Sequence, residues 1–348
     1  MTTHRDRAAA ELPTRHITGP AELVQAVPYL LGFHPRHSLV LIGLDGGHLV
    51  VTARVDLDPA GDTVDGPAVE LVAGTLARMC DGGATDIVAA VYPDVGSPGD
   101  GSGDADGGAA AGLADAVVEA VADAIDQLPC RLREALLVTA GRWWSLLCAP
   151  GCCPAEGRPV PATPSPFTAA ATLDGVAPLA DRDALAATLA PLADRDALAE
   201  PLAAARSAPL ATSAKQHERS VKRALFAAAR ASASARWNPP DDDVACRYAV
   251  ALRAIPIRDS VWLAVDEGRL DGRALWRDLA RRVPAPYDAA PLFLFGWASW
   301  RAGDGALASM AAERAIGADP GYSAADLLLG ALARGIDPRS FPRLRRSA

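Results

Sequence analysis

Residues 38–57 read SLVLIGLDGGHLVVTARVDL, and this stretch decides the fold of the first half of the chain. A run of strand-forming residues reaches Leu44, the turn residues Asp45, Gly46 and Gly47 follow, and a second β-rich run begins at His48. Asp-Gly and Gly-Gly pairs favour the two-residue turns that join antiparallel strands. The stretch therefore predicts a β-hairpin.

Helix and strand patterns alternate on both sides of this hairpin. A short helix is predicted before it, ending at Gly32, because glycine readily adopts the left-handed conformation that ends helices. The elements predicted after it are helices over 67–79 and 109–128 and strands over 85–92, 132–139 and 142–148. The order ββ-α-β-α-ββ is typical of a mixed sheet with helices packed on it. We therefore expect an α/β domain over residues 16–165, preceded by a disordered N-terminus over 1–15.

The next segment is rich in proline and alanine and contains a duplication. The decapeptide APLADRDALA occupies residues 177–186 and again residues 190–199. An offset of thirteen residues is shorter than a solenoid repeat, and two copies cannot bury a repeat core. We expect residues 166–211 to form a linker that contains a duplicated helix segment.

From residue 212 onward the pattern is helical throughout. The predicted helices span 213–236, 241–254, 258–266, 271–282, 287–300, 304–317 and 322–334. One set of residues follows the order of large, small and terminal proline positions in a tetratricopeptide repeat: Leu292, Gly296, Ala308, Ala315 and Pro320. We expect an all-α, tetratricopeptide-like domain over 212–337 and a basic tail over 338–348. An ordinary helical hairpin with small residues at the crossing is the alternative.

Charge and hydropathy limit the class of protein. The net charge is −8 overall, −11 for residues 1–165 and +3 for residues 166–348. An acidic chain is poorly suited to the nucleic-acid backbone, so we do not expect nucleic-acid binding. The sequence contains no long uncharged apolar run and no apolar signal-peptide core near its start. We expect a cytoplasmic protein that does not enter the membrane.

Several dense motifs resemble a single family. In the first half they are VPYLLGFHP (27–35), SLVLIGL (38–44), VTARVDL (51–57), GRWWSLLC (141–148) and CCP (152–154). In the second half they are ALWRDLARRVPAPY (274–287), WASWRAGDGALA (297–308) and AIGADPGY (315–322). Together they resemble the family catalogued as domain of unknown function 4192, typical of actinomycete bacteria. The resemblance implies a family and no activity.

The main candidate pocket consists of residues near the hairpin and in the motif GRWWSLLC (141–148). They are His34, Ser38, Arg54, Asp56, Arg142 and Trp143. Arg54 and Asp56 lie two apart on one strand, hence on one face. On an open face Asp56 would orient His34, and arginine would bind an anion. An ordinary ion pair at the sheet edge is the alternative.

Cys148, Cys152 and Cys153 form the candidate metal site. Thiolates at a turn favour zinc, but a structural zinc site needs four ligands, so Cys130 or His34 would have to complete it. We therefore expect plain thiols and no cofactor; zinc at the three cysteines, or a transient or redox-sensing disulfide among them, is the alternative. All six cysteines are expected to be free thiols, because reducing compartments disfavour disulfides.

Two hypotheses of function follow. The leading one is a regulatory or adaptor protein that binds a protein partner through its helical half, since stacked helix pairs present concave surfaces. The alternative is an enzyme or small-molecule-binding protein that uses the pocket near His34, Arg54, Asp56 and Arg142. The sequence contains no P-loop, nucleophile elbow or HExxH motif, so no reaction is assigned.

Overall fold

The computed structural model describes residues 17–57, 66–93, 105–149, 151–208 and 213–344, excluding the side chains of residues 105–109. The predicted disordered N-terminus, residues 1–15, lies outside the described residues. The strands are β1 (Ser38–Asp45), β2 (His48–Asp56), β3 (Asp86–Tyr92), β4 (Arg131–Thr139), β5 (Arg142–Ser145) and β6 (Arg158–Pro159). The helices are α1 (Pro20–Leu31), α2 (Gly66–Asp81), α3 (Ala105–Ile125), α4 (Pro166–Leu173), α5 (Arg182–Ala187), α6 (Ala199–Ser207), α7 (Ala214–Ala231), α8 (Asp242–Leu252), α9 (Ile255–Asp266), α10 (Arg273–Arg282), α11 (Ala289–Arg301), α12 (Gly305–Ala318) and α13 (Ser323–Ala333).

The strands form one mixed sheet in the order β2-β1-β3-β4-β5-β6. Only β3 and β4 run parallel; the other neighbouring strands are antiparallel. The predicted hairpin is confirmed: Gly46 and Gly47 have φ of +55° and +85°, the left-handed values that a tight hairpin turn requires. The helix before it ends at Gly32, whose φ is +81°. The predicted mixed α/β sheet is therefore confirmed.

Each face of the sheet has its own core, because consecutive residues of a strand point to opposite faces. One face, which includes Leu41 and Leu137, packs on α2 and α3. The other face, which includes Val40 and Val88, belongs to one hydrophobic cluster together with α1 and with helical-half residues such as Leu292. The sheet and the helices after residue 212 therefore share a core.

The segment between the sheet and the later helices packs on both of them. The two copies of the duplicated decapeptide have different neighbours. In the first copy, the backbone N–H of Leu179 donates to the carbonyl of Gly32 at 2.9 Å, at the end of α1. In the second copy, the equivalent N–H of Leu192 donates to the carbonyl of Arg281 at 2.8 Å, at the end of α10. The duplication thus connects one half of the molecule to the other.

An ion pair between the second copy and the residue before α11 strengthens this connection. Arg195 Nη2 lies 2.7 Å from Asp288 Oδ2, and the exposed fractions of the two side chains are 17% and 4%. Arg195 also donates to the carbonyl of Val283. A buried carboxylate without its counter-charge is costly. Moving the second copy away would leave Asp288 unpaired in this way, so the ion pair holds the second copy in place.

Helices α11, α12 and α13 pack closely at a glycine. A Cβ added at Gly296 would lie 3.1 Å from Leu328 Cδ2 and 3.2 Å from Ala311 Cβ. The absence of a side chain at Gly296 therefore lets these three helices approach one another. The all-helical character predicted for this part of the chain is confirmed.

A buried charged cluster fastens the C-terminal segment to these helices. The Asp266 side chain, 0% exposed, pairs with Arg301 at 2.5 Å, which is 7% exposed. Asp266 also accepts from Trp297 Nε1 at 3.0 Å and from the N–H of Leu344 at 2.6 Å. Arg301 in turn donates to the carbonyl of Phe341 at 3.0 Å. Residues 338–344, predicted as part of a basic tail, are therefore held against α9 and α11.

The prediction that all six cysteines are free thiols is wrong. Cys80, in the last turn of α2, and Cys130, just before β4, form a disulfide. Their Cα atoms are 6.1 Å apart although 50 positions of sequence separate them. This separation is within the range that a disulfide spans. The free cysteines are Cys148, Cys152, Cys153 and Cys246.

Candidate functional site

A cleft of about 550 Å³ opens at the ends of β3 and β4. Its walls come from α1, the residues before β1, the last residues of β3 and β4, and the proline-rich residues 160–164. Because β3 and β4 are parallel, their carboxyl ends lie at the same edge of the sheet. Ligands of α/β proteins usually bind at this edge, outside the carboxyl ends of the strands.

Two hydroxyl-bearing residues that line the cleft carry polar atoms without partners. Tyr92 ends β3 and Thr139 ends β4. Tyr92 Oη and Thr139 Oγ1 are buried, and within the described part of the chain neither has a hydrogen-bond partner. Burial raises the pKa of Tyr92 far above its usual range, so the phenol keeps its proton. An unpaired buried hydroxyl costs about 1–3 kcal/mol, which makes this pair the unusual feature of the cleft.

His34 lies at the mouth of the same cleft. Burial, and after it the positive charge of Arg36, lower the pKa of His34 below its usual value of 6.5. The imidazole is therefore neutral near pH 7 and offers one donor and one acceptor. The lining of the cleft thus includes a phenol, an alcohol and an imidazole that are all uncharged near pH 7.

Gln25 holds the proline-rich wall of the cleft. Its Nε2 donates to the carbonyls of Pro161 at 2.6 Å and Thr163 at 2.9 Å. Its Oε1 accepts from the N–H of Ser165 at 3.0 Å. All three bonds reach from α1 across more than 130 positions of sequence. Gln25 therefore positions the wall.

Strained backbone borders the cleft. His37, just before β1, has φ of +42°, and Ala140, in the β4–β5 turn, has φ of +47°. Within the described ranges these are the only residues other than glycine with positive φ. Residues in such conformations tend to cluster at binding sites, where the surrounding structure maintains the strain. Ala140 itself lines the cleft.

The predicted residues Ser38, Arg54 and Asp56 form a separate bonded group. Arg54 Nε donates to Ser38 Oγ at 2.7 Å, and Arg54 Nη2 lies 2.5 Å from Asp56 Oδ1. Ser38 Oγ donates to the carbonyl of Arg36. The structure thus brings Asp56 to Arg54 rather than to His34, and none of the three lines the cleft. Their bonds fix the chain just before β1, from which His34 projects.

Arg142 and Trp143 also lie outside the cleft lining. Arg142 donates to the carbonyls of Glu156 and, at 3.1 Å, Gly157, so it fastens the loop after β5. Trp143 is 8% exposed and packs in the core shared with the helices. Its neighbour Trp144 packs towards the opposite core, as the alternation of a strand requires.

Two of the three predicted metal ligands meet. Cys148 Sγ lies 3.7 Å from Cys153 Sγ, whereas Cys152 is exposed. Cys130, proposed as a fourth ligand, is bonded to Cys80, which overturns that part of the zinc hypothesis. The described residues contain no group of three or more His, Cys, Asp or Glu side chains placed to hold a metal ion.

Sequence reasoning missed Tyr92 and Thr139. Each stands at the end of an apolar strand, where it resembles an ordinary last core residue. The available signal was topological, because residues that end parallel strands meet at one sheet edge. The unpartnered state of their hydroxyls, by contrast, depends on contacts that only the folded chain defines.

Replacing Tyr92 with phenylalanine is expected to raise the free energy of unfolding by about 1 kcal/mol, because the change removes a buried hydroxyl that has no partner. Tyr29→Phe is the matched control in the same cleft. Tyr29 Oη lies 3.1 Å from Thr172 Oγ1, so this variant should lose up to about 1 kcal/mol. Chemical denaturation measures both. Destabilisation by Tyr92→Phe would show that its hydroxyl is satisfied in solution.

Unfolding is expected to depend on pH through His34. Its pKa is lower in the folded chain, so the unfolded chain takes up the proton first as the pH falls through about 6.5. The free energy of unfolding should therefore fall towards acid pH, and the wild type should lose more of it between pH 8 and pH 5 than His34→Gln. Urea titrations at several pH values in this range measure the free energy of unfolding of both proteins. Equal changes in the wild type and in His34→Gln would contradict the prediction.

The described residues include no helix that combines the length and apolar character needed to cross a membrane. No curated protein and no solved structure matches the sequence. One family model does match, over residues 20–339, which include the sheet, the cleft and the later helices. The chain therefore belongs to the family described as domain of unknown function DUF4192.

Proposed function

We propose that this protein binds a small uncharged molecule in the cleft at the ends of β3 and β4. The observation that carries the proposal is the pair of buried, unpartnered hydroxyls on Tyr92 and Thr139 in the residues that line one cleft. Buried polar groups are nearly always paired in native proteins. A ligand that bonds to either hydroxyl would recover the cost of leaving that hydroxyl unpaired.

The lining supports the chemical class of the ligand. The lining side chains include neither a carboxylate nor an ammonium or guanidinium group, and His34 is neutral near pH 7. A charged ligand would lose its hydration without gaining a counter-charge, which is unfavourable. Apolar wall residues such as Val24, Val138 and Val160 complete the cleft. The proposed ligand therefore combines an apolar body with a carbonyl, amide or hydroxyl group.

A thermal-shift screen with matched pairs of compounds tests this proposal. Each pair consists of a neutral amide and the corresponding carboxylate. The amides are expected to raise the melting temperature more than the carboxylates, and Tyr92→Phe and Thr139→Val should abolish the shift. Tyr322→Phe is the control that keeps the shift, because Tyr322 is a half-buried tyrosine of the helical half whose hydroxyl is also buried without a partner in the described residues. Preference for carboxylates, or shifts that survive both cleft variants, would contradict the proposal.

A second candidate function is the binding of an acidic protein partner by the helical half. A groove of about 920 Å³ lies between α7 and α9. Its lining includes the basic residues Lys222, Arg223, Arg230 and Arg269, the aromatic rings of Phe226 and Trp262, and the carboxylates of Asp259 and of Glu218, which pairs with Lys222. Trp262 Nε1 is buried, and the described residues provide it with no partner. Basic side chains beside aromatic rings complement acidic segments of a partner. This combination supports the adaptor hypothesis.

The helix packing around the glycine of α11 also supports that candidate. In a tetratricopeptide-like arrangement, small residues at the crossing let paired helices stack into a concave surface. Gly296 and Ala308 occupy such a crossing, since a Cβ on Gly296 would lie 3.2 Å from the Ala308 carbonyl oxygen. We therefore extend the proposal to a tetratricopeptide-like interaction surface.

Charge reversal in the groove distinguishes this second candidate from the first. Affinity capture with the wild type is compared with Arg223→Glu/Arg230→Glu, and Arg247→Glu, exposed on α8, serves as the control. A polypeptide captured by the wild type and the control but lost with the double variant would support the adaptor. Capture that all three proteins share would contradict it.

A further inference from the structure

Cys148 and Cys153 form a pair of thiols in direct contact. Their Sγ atoms are 3.7 Å apart, and both are free. Cys148 Sγ donates to the carbonyl of Ser145 at 3.3 Å, and the N–H of Ser145 donates to Cys153 Sγ at 3.5 Å. The backbone of one residue at the end of β5 therefore holds both sulfur atoms in place.

The surroundings keep this pair together. The N–H of Cys152 donates to the carbonyl of Ala149 at 3.0 Å, which turns the chain back between the two thiols. Arg158 Nη2 donates to the carbonyl of Cys152 at 3.1 Å. The turn is thus bonded on both sides, and the approach of the two sulfur atoms follows from backbone contacts.

Cys148 and Cys153 are more exposed to solvent than Cys246, a free cysteine that lies in a hydrophobic core. Cys246 is fully buried, and burial raises the pKa of its thiol, which makes it a poor nucleophile. Cys148 and Cys153 are half-buried, whereas Cys152 is exposed but is not the partner of either. A small oxidant in solvent can therefore reach the pair, and each thiol already has a second thiol beside it.

We propose that Cys148 and Cys153 are a redox-active dithiol, oxidised by hydroperoxides to a disulfide and reduced again by dithiols. One thiolate attacks a peroxide oxygen and becomes a sulfenic acid, releasing water or an alcohol from the hydroperoxide. The second thiol then attacks the sulfenic sulfur and expels water. The two thiols together lose two protons and two electrons, which the hydroperoxide takes up. This inference is independent of the cleft and its ligand.

The test uses the full-length protein and two probes. The reduced protein is treated with hydrogen peroxide, remaining thiols are alkylated, and the peptide that contains the three cysteines is analysed by mass spectrometry. The expected product has lost two hydrogens, joins Cys148 to Cys153, and regains both thiols with dithiothreitol. Cys152→Ser should keep this product, whereas Cys148→Ser and Cys153→Ser should abolish it.

Phenylarsine oxide, which bridges paired thiols, provides the second probe and needs no variant. With the disulfide between Cys80 and Cys130 left intact, one molecule per chain is expected to protect Cys148 and Cys153 together from alkylation while Cys152 remains reactive. A disulfide that includes Cys152 would overturn the proposal. So would separate sulfinic acids at Cys148 and Cys153 with no bond between them, or independent alkylation of the two thiols in the presence of the arsenical.

Discussion

Replacing Asp266 with asparagine is expected to lower the free energy of unfolding by about 3–5 kcal/mol, the cost of breaking a buried ion pair from one side. Arg301 would remain 7% exposed without its counter-charge. The amide can supply one acceptor, but its nitrogen would face a donor, because Trp297 and Leu344 both donate to Asp266. Denaturant unfolding of the purified variant measures the loss.

The adjacent ion pair is the matched control for this prediction. Glu267 pairs with Arg269, and both side chains are substantially exposed, so Glu267→Gln should change the free energy of unfolding by no more than about 0.5 kcal/mol. A double variant, Asp266→Asn with Arg301→Met, should recover part of the loss, since no charge then remains buried. Equal effects at positions 266 and 267 would contradict the role of the buried pair.

Replacing Arg195 with alanine is expected to lower the free energy of unfolding by about 3 kcal/mol. Asp288, 4% exposed, would lose its salt-bridge partner, and an uncompensated buried carboxylate is strongly destabilising. The cost lies at the lower end of the range for broken buried pairs because Arg314 is close enough to interact with Asp288. Thermal and urea unfolding both measure this loss.

The duplicated decapeptide supplies the control. Arg182 occupies the same place in the first copy as Arg195 does in the second, and it is exposed. Arg182→Ala removes the same side chain from the same local sequence and should change stability by no more than about 0.5 kcal/mol. If the two variants lose equal stability, the contribution of Arg195 comes from local helix propensity rather than from Asp288.

Much of the fold could be predicted because its signals are local. The turn at Gly46 and Gly47 identifies the hairpin, Gly32 ends the first helix, and the alternation of Trp143 and Trp144 follows from strand geometry. The packing of the duplicated segment could not be predicted in the same way. Identical decapeptides have different neighbours, so their contacts depend on residues far away in the sequence.

The site was predicted only in part for the same reason. His34 stands out as a polar residue beside a strand, and the structure places it in the cleft. Asp56 stands on the same strand face as Arg54, and the ion pair between them is satisfied locally. Tyr92 and Thr139 have no neighbour in sequence that marks them. The pairing of Cys80 with Cys130 likewise depends on two elements that meet only in the folded chain.

The core shared by the sheet and the later helices bears on how this protein evolves. A recombination event that separated the two halves would leave the apolar residues Val40, Ile42 and Val88 without the cluster that includes Leu292. Each piece would then expose apolar surface that the intact chain buries. Selection should therefore keep the two halves in one reading frame, and the family model indeed spans residues 20–339 as a single unit.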